Sequence, residues 1–197
     1  MVSSGPNFFR SSPRPKKNNG KIFASLYELN DPELISAIVD LGKDCSLILA
    51  NGAFKSNNPP NNDENIKART QLKGKINLFD RIVKTGHFAH NKFVVFCDAN
   101  EMPQRVLTGS TNWTVTGLCT QANNGLIIDD PNVAANFLDA WNRIKAAGND
   151  YTPETRRFLH SENARVLNFG GRVYIVDICL LSAVYLRYSV PNEKPPL

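Results

Sequence analysis

The chain has 197 residues, 42% of them hydrophobic and 21% charged, with a formal charge of +5. That is enough for one domain with a real core and short for two. Residues 1–20 carry Arg10, Arg14, Lys16 and Lys17 and no acid, so the leader holds +4 and leaves only +1 for the rest; a basic tail describes the chain better than a basic protein, which weakens the electrostatic case for nucleic acid.

In chain order, residues 1–20 are rich in Ser, Pro, Asn and base and read as a disordered leader with no apolar run, hence no expected secretory signal. Residues 21–29 read as a strand. Asn30 is the expected cap of a helix with Pro32 in its first turn, Glu33 completing a capping box, apolar spacing at Leu34, Ile35, Ile38 and Val39, and Gly42 closing it. A short buried strand follows at 45–51, then a polar loop rich in Asn and Pro at 52–65, a short helix at 66–72 and a strand near 75–79.

Residues 92–96 and 105–110 read as two strands joined by the turn at 97–104, and a third strand lies at 124–129. Asp130 caps and Pro131 starts a helix whose stripe is Phe137, Leu138, Trp141 and Ile144. Strands alternating with helices predict an α/β sandwich, a mixed sheet flanked by helices. Three parts are expected: the leader (1–20), a domain over 21–150, and a C-terminal extension over 151–197. Within the extension, residues 172–188 are apolar enough for a buried strand pair or a helix but contain Asp177 and are short for a bilayer span.

Cys45, Cys97, Cys119 and Cys179 are scattered with no CxxC pair, which argues against a zinc cluster or a disulfide framework and makes a reduced, cytoplasmic protein the default. Metal-assisted hydrolysis is disfavoured too. Between Gly86 and Ile128 the only carboxylates are Asp98 and Glu101, both in the expected turn. His87 and His90 would face opposite sides of a strand. No cofactor is called for.

The chemistry concentrates in two short runs. His90 and Lys92 stand two apart at the mouth of an apolar run, so an extended backbone projects both to one face. Seventeen residues after Lys92 begins Gly109-Ser110-Thr111-Asn112, whose Ser110 and Asn112 are again two apart, where the next strand ends. Antiparallel neighbours can bring the runs together, supplying a nucleophile, a cation and neutral donors, which are the parts a phosphodiester needs. Gly109 would permit close approach of the backbone to a ligand.

His90-Asn91-Lys92, the following Asp98 and Gly109-Ser110-Thr111-Asn112 resemble the HKD motif of the phospholipase D superfamily, and residues 109–128 resemble the segment that follows it in bacterial phospholipase D-like proteins. The resemblance runs from about 21 to 146 and covers a single repeat. It departs in two places. Five residues rather than four separate Lys92 from Asp98; the family's Asp is generally a structural residue remote from the phosphate, so the extra residue is tolerable and Asp98 is left outside the chemistry. Where family nucleases often place a Glu that orients the histidine, this chain has Asn123, an amide that could hold the ring but not stabilise an imidazolium as a carboxylate does.

The resemblance implies a phosphodiesterase in which His90 attacks phosphorus to form a phosphohistidine, Lys92, Ser110 and Asn112 hold the phosphoryl oxygens, and water completes the hydrolysis. A second histidine must protonate the leaving group. Neither His87 nor His160 begins another HxK, so its expected source is His90 of a second copy, in a homodimer with the site on the twofold axis. The resemblance implies a phospholipid or a nucleic acid as substrate, and the basic leader suits either, including peripheral contact with an anionic membrane. A catalytically silent half that binds phosphate or polyanions as a scaffold or partner module stays open as the competing class.

Overall fold

The computed structural model describes residues 20–160, 166–169 and 172–175. Six strands form one mixed sheet: β1 (Lys21–Leu26), β2 (Cys45–Ala50), β3 (Asn77–Arg81), β4 (Lys92–Cys97), β5 (Pro103–Gly109) and β6 (Gly125–Ile128), in the spatial order β3-β2-β1-β4-β5-β6. The first three run parallel, and β4, β5 and β6 continue the sheet antiparallel. Five helices follow in chain order as α1 (Pro32–Leu41), α2 (Ile66–Leu72), α3 (Val115–Cys119), α4 (Pro131–Ala147) and α5 (Pro153–His160).

The central strands read as continuous apolar runs because both sheet faces are covered. Successive residues of β2 and β4 turn to opposite layers: Leu47, Leu49 and Val94 pack with Ile35 and Ile38 of α1 and Ala68 and Leu72 of α2. Ile48, Phe93 and Val95 pack with Val133, Phe137, Trp141 and Ile144 of α4 and Leu159 of α5. The sheet is thus the middle layer of an α-β-α sandwich, as the alternation of elements predicts. Trp141 fixes one layer to the other's strand, since its indole Nε1 donates to Ala24 O at 2.8 Å and the Phe23 and Phe79 rings meet it edge-on.

The clearest helix in the sequence forms as expected: Asp130 accepts from Asn132 N and Val133 N, and Pro131 opens the first turn. The start of α1 differs by one residue. Asp31, not Asn30, is the cap and accepts from Leu34 N at 2.9 Å. Asn30 is taken by tertiary pairing instead, its N–H donating to Trp113 O at 3.0 Å and its Oδ1 accepting from Val115 N at 3.2 Å. The strand expected near 75–79 lies two residues later, at Asn77–Arg81.

The loop over 52–65 is tied down by its polar residues rather than loose. Buried Asn65 donates to Tyr27 O and Ala50 O at 2.8 and 2.7 Å and accepts from Leu29 N at 3.0 Å, and buried Asn51 donates to Asn62 O and Val83 O. α5 begins just beyond 150, in the part with no assigned structure in the sequence reading. Val166–Phe169 and Arg172–Ile175 form an antiparallel strand pair. The leader over 1–19 and the remainder of 172–188, with Cys179, lie outside the described residues. Among the described residues no helix is long and apolar enough to cross a membrane.

Candidate active site

The site forms where β1 and β2 end and β4 begins, at the carboxyl edge of the parallel strands, where open α/β sheets leave a crevice. A small apolar cluster of Tyr27, Ala50, Val83 and Ala89 closes this edge. Lys92 is the first residue of β4, opposite Leu26. His90 lies two residues before the strand, on an exposed approach, whereas Lys92 is 5% exposed. The two therefore do not stand side by side as equals: the lysine is sunk and the imidazole is presented.

Tyr27 organises both. Its ring meets the His90 ring edge-on with centroids 4.4 Å apart, and the Lys92 ammonium lies 5.0 Å from its centre, a favourable place for a cation. Lys92 Nζ also donates to His90 O at 3.2 Å. Burial pushes Lys92 down to about 8, and the charge of Glu28 works in the opposite direction. His90 is also lowered, first by burial and then by Lys92. The imidazole is thus biased to its neutral form beside a cation.

The second run arrives on the neighbouring strand. β5 pairs antiparallel with β4, Phe93 opposite Thr108, and delivers Gly109 to the same edge. Gly109 admits backbone: a Cβ there would meet Asn124 O at 2.3 Å, so the residue lets β6 close on β5. Ser110 is held in that junction. Its N–H donates to Asn124 O and Oδ1 at 3.1 and 2.9 Å, its Oγ donates to Asn123 Oδ1 at 3.1 Å, and Asn124 N donates to the same Oγ at 3.0 Å.

Asn123, the position expected to orient the histidine, has its amide engaged elsewhere. Beyond accepting from Ser110, it donates to Gly117 O at 2.9 Å, so its hydrogen bonds brace the Ser110 loop against α3. Asn112 is fixed by a residue that the sequence reading passed over. Its Nδ2 donates to Glu28 Oε2 at 2.7 Å, and its Oδ1 is buried with no hydrogen-bond partner. A search for carboxylates within 86–128 misses Glu28, which sits two residues past β1. The available signal was an acid on the same strand parity as buried Ile22, Ala24 and Leu26.

Backbone pairing brings these distant pieces together: Trp113 N donates to Glu28 O at 3.1 Å, and Leu29 and Trp113 form a parallel bridge. A cavity of about 60 Å³ lies against Lys92, Thr111, Trp113 and Asn124. Asp98 is remote from this edge, at the other end of β4, where its carboxylate closes the turn by accepting from Asn100 N and Met102 N. Among the described residues no three His, Cys, Asp or Glu side chains gather as a metal site.

The family described as cardiolipin synthase, PLD-like domain, matches residues 17–145. The crystal structure of Nuc from Salmonella typhimurium, a phospholipase D family member, is similar with a TM-score of 0.50 at 21% identity, over 66% of this chain and 81% of that one. NucT from Helicobacter pylori is similar with a TM-score of 0.48 at 13% identity, over 66% of this chain and 82% of that one. No curated protein matches the chain.

Proposed function

The chain belongs to the phospholipase D-like family, and on that premise we propose that it hydrolyses a phosphodiester, of a phospholipid or a nucleic acid, through a phosphohistidine on His90. The observation that carries this reading is the pairing of an exposed imidazole with a sunken ammonium, both on Tyr27. A neutral ring nitrogen of His90 attacks phosphorus and forms the P–N bond as the bond to the leaving oxygen breaks. A protonated second histidine, from a second copy of the chain, gives its proton to that oxygen. The same histidine then takes a proton from water, which attacks phosphorus, and the P–N bond breaks to return His90. Lys92 balances the charge gathering on the phosphoryl oxygens, and Asn112, with Ser110 once its hydroxyl turns from Asn123 Oδ1, offers neutral contacts.

The competing reading is a silent module that binds phosphate or polyanions. What favours it is Asn123: an amide stands where the family's nucleases often place a carboxylate, and its hydrogen bonds go to Ser110 and Gly117. Hydrolysis of a chromogenic phosphodiester in excess chelator, compared between wild type and His90→Ala, separates the two. The expected result is activity that survives the chelator and disappears in the variant. A well-folded wild type with no activity would favour the silent module.

A further inference from the structure

Glu28 has no part in the mechanism just described, yet it is built into the same site. The backbone at residues 28–30 is clamped on both sides of Trp113, with Trp113 N donating to Glu28 O at 3.1 Å and Asn30 N donating to Trp113 O at 3.0 Å. Its side chain turns to the phosphate contacts, where Oε2 accepts from Asn112 Nδ2 at 2.7 Å. A carboxylate oxygen can only accept, so this bond decides which end of the amide faces which way and leaves Asn112 one free N–H. The opposite end, Oδ1, is buried and orphaned. Such an arrangement persists only when the other end of the same amide is held by something stronger, and a charge-assisted bond meets that need.

The charge of Glu28 also acts on Lys92 from the segment that carries Tyr27, favouring its ammonium against burial. At the ammonium, His90 O accepts at 3.2 Å, the Tyr27 ring centre lies 5.0 Å away and the charge of Glu28 favours the protonated form, while Thr108 Oγ1 of β5 donates to the backbone O of Lys92 at 3.4 Å. Of these only Glu28 is an anion. Resting on the phosphodiesterase reading above, we propose that Glu28 is a positioning residue of the phosphate site. Its carboxylate aims the Asn112 amide nitrogen at the substrate and is the countercharge that keeps buried Lys92 an ammonium. The pair makes the site nearly neutral. That suits the single charge of a diester better than the two charges of a monoester product, so Glu28 also favours product release.

The test uses the full chain and inorganic phosphate as the probe. Lys92 is followed by NMR of its ε-carbon in wild type, Glu28→Gln and Glu28→Asp, and phosphate binding is measured by calorimetry at pH 6 and pH 8. Gln keeps an acceptor for Asn112 and removes the charge. The expected result is a Lys92 midpoint lowered by about one pH unit in Glu28→Gln. Phosphate should then bind that variant at least as tightly as wild type at pH 6 and about fivefold more weakly at pH 8. Glu28→Asp, which keeps the charge, should leave the midpoint near that of wild type, and it stands in if the Gln variant folds poorly. A Lys92 midpoint common to all three proteins, or phosphate affinity reduced equally at both pH values in the Gln variant, overturns the proposal. Failure of the phosphodiesterase reading looks different: an inactive wild type in which Lys92 still responds to Glu28.

Discussion

The Lys92 ammonium lies 5.0 Å from the centre of the Tyr27 ring while the His90 ring meets the same tyrosine edge-on at 4.4 Å. One aromatic side chain therefore touches both groups, and burial is the leading cause of the lowered values of His90 and Lys92. In the free protein His90 should titrate below 6.5 and Lys92 near 8. Between those points a neutral imidazole stands beside an ammonium. NMR titration of the two side chains checks this, and a His90 midpoint above 6.5 would show that the ring is not desolvated as described.

Keeping a cation at a buried position costs stability. The Lys92 midpoint in the folded chain, about 8, lies below its ordinary 10.5. Below pH 8 both folded and unfolded chains hold the proton, so the full cost is present. As pH rises from 8 to 10.5 the folded chain releases the proton first and the cost fades. Lys92→Met should therefore gain on the order of 1 kcal/mol at pH 7, with the gain shrinking towards pH 10.5. Activity should fall by about 100-fold or more. Urea unfolding at pH 7 and pH 10 checks the sign, and a variant less stable than wild type at pH 7 contradicts it.

Asn65 bonds three backbone groups, on Tyr27, Leu29 and Ala50, from 38, 36 and 15 residues away. Its loss leaves buried donors and acceptors unpaired, each costing about 1–3 kcal/mol. Asn65→Ala should lose about 2–4 kcal/mol in denaturant unfolding. Because the same bonds hold the segment that carries Tyr27 and Glu28, phosphate binding should weaken too. A change in stability with phosphate binding intact would separate the loop from the site.

Protonation of the leaving group by a second His90 requires a dimer. The approach to the site carries exposed His90 and Phe88, the latter 63% exposed, and sedimentation should give a dimer whose specific activity falls as dilution separates it. Full activity in a strict monomer would remove the second copy as the proton donor.

Removing the Trp141 indole tests the sandwich itself. Trp141 is 2% exposed and spans from α4 to Ala24 of β1. Trp141→Ala should cost about 3–5 kcal/mol, read by denaturant unfolding, and a loss below 1 kcal/mol would mean that α4 is not fixed to the sheet through this residue.

Local physics made much of this protein legible in its sequence. The Asp130-Pro131 start of α4 and its apolar stripe, the apolar runs of β2 and β4, and the close spacing of His90 with Lys92 and of Ser110 with Asn112 are all short-range patterns. They follow from periodicity, capping and turn chemistry, which act within a few residues. What required the tertiary structure was partnership. Glu28 meets Asn112 across 84 positions, Trp113 draws Asn30 away from the cap of α1, and Asn123 binds Ser110 and Gly117. Periodicity reports the face on which a side chain lies and is silent about what faces it. Only the order of strands in the sheet, with β1 inserted between β2 and β4, decides which distant carboxylate reaches the amide.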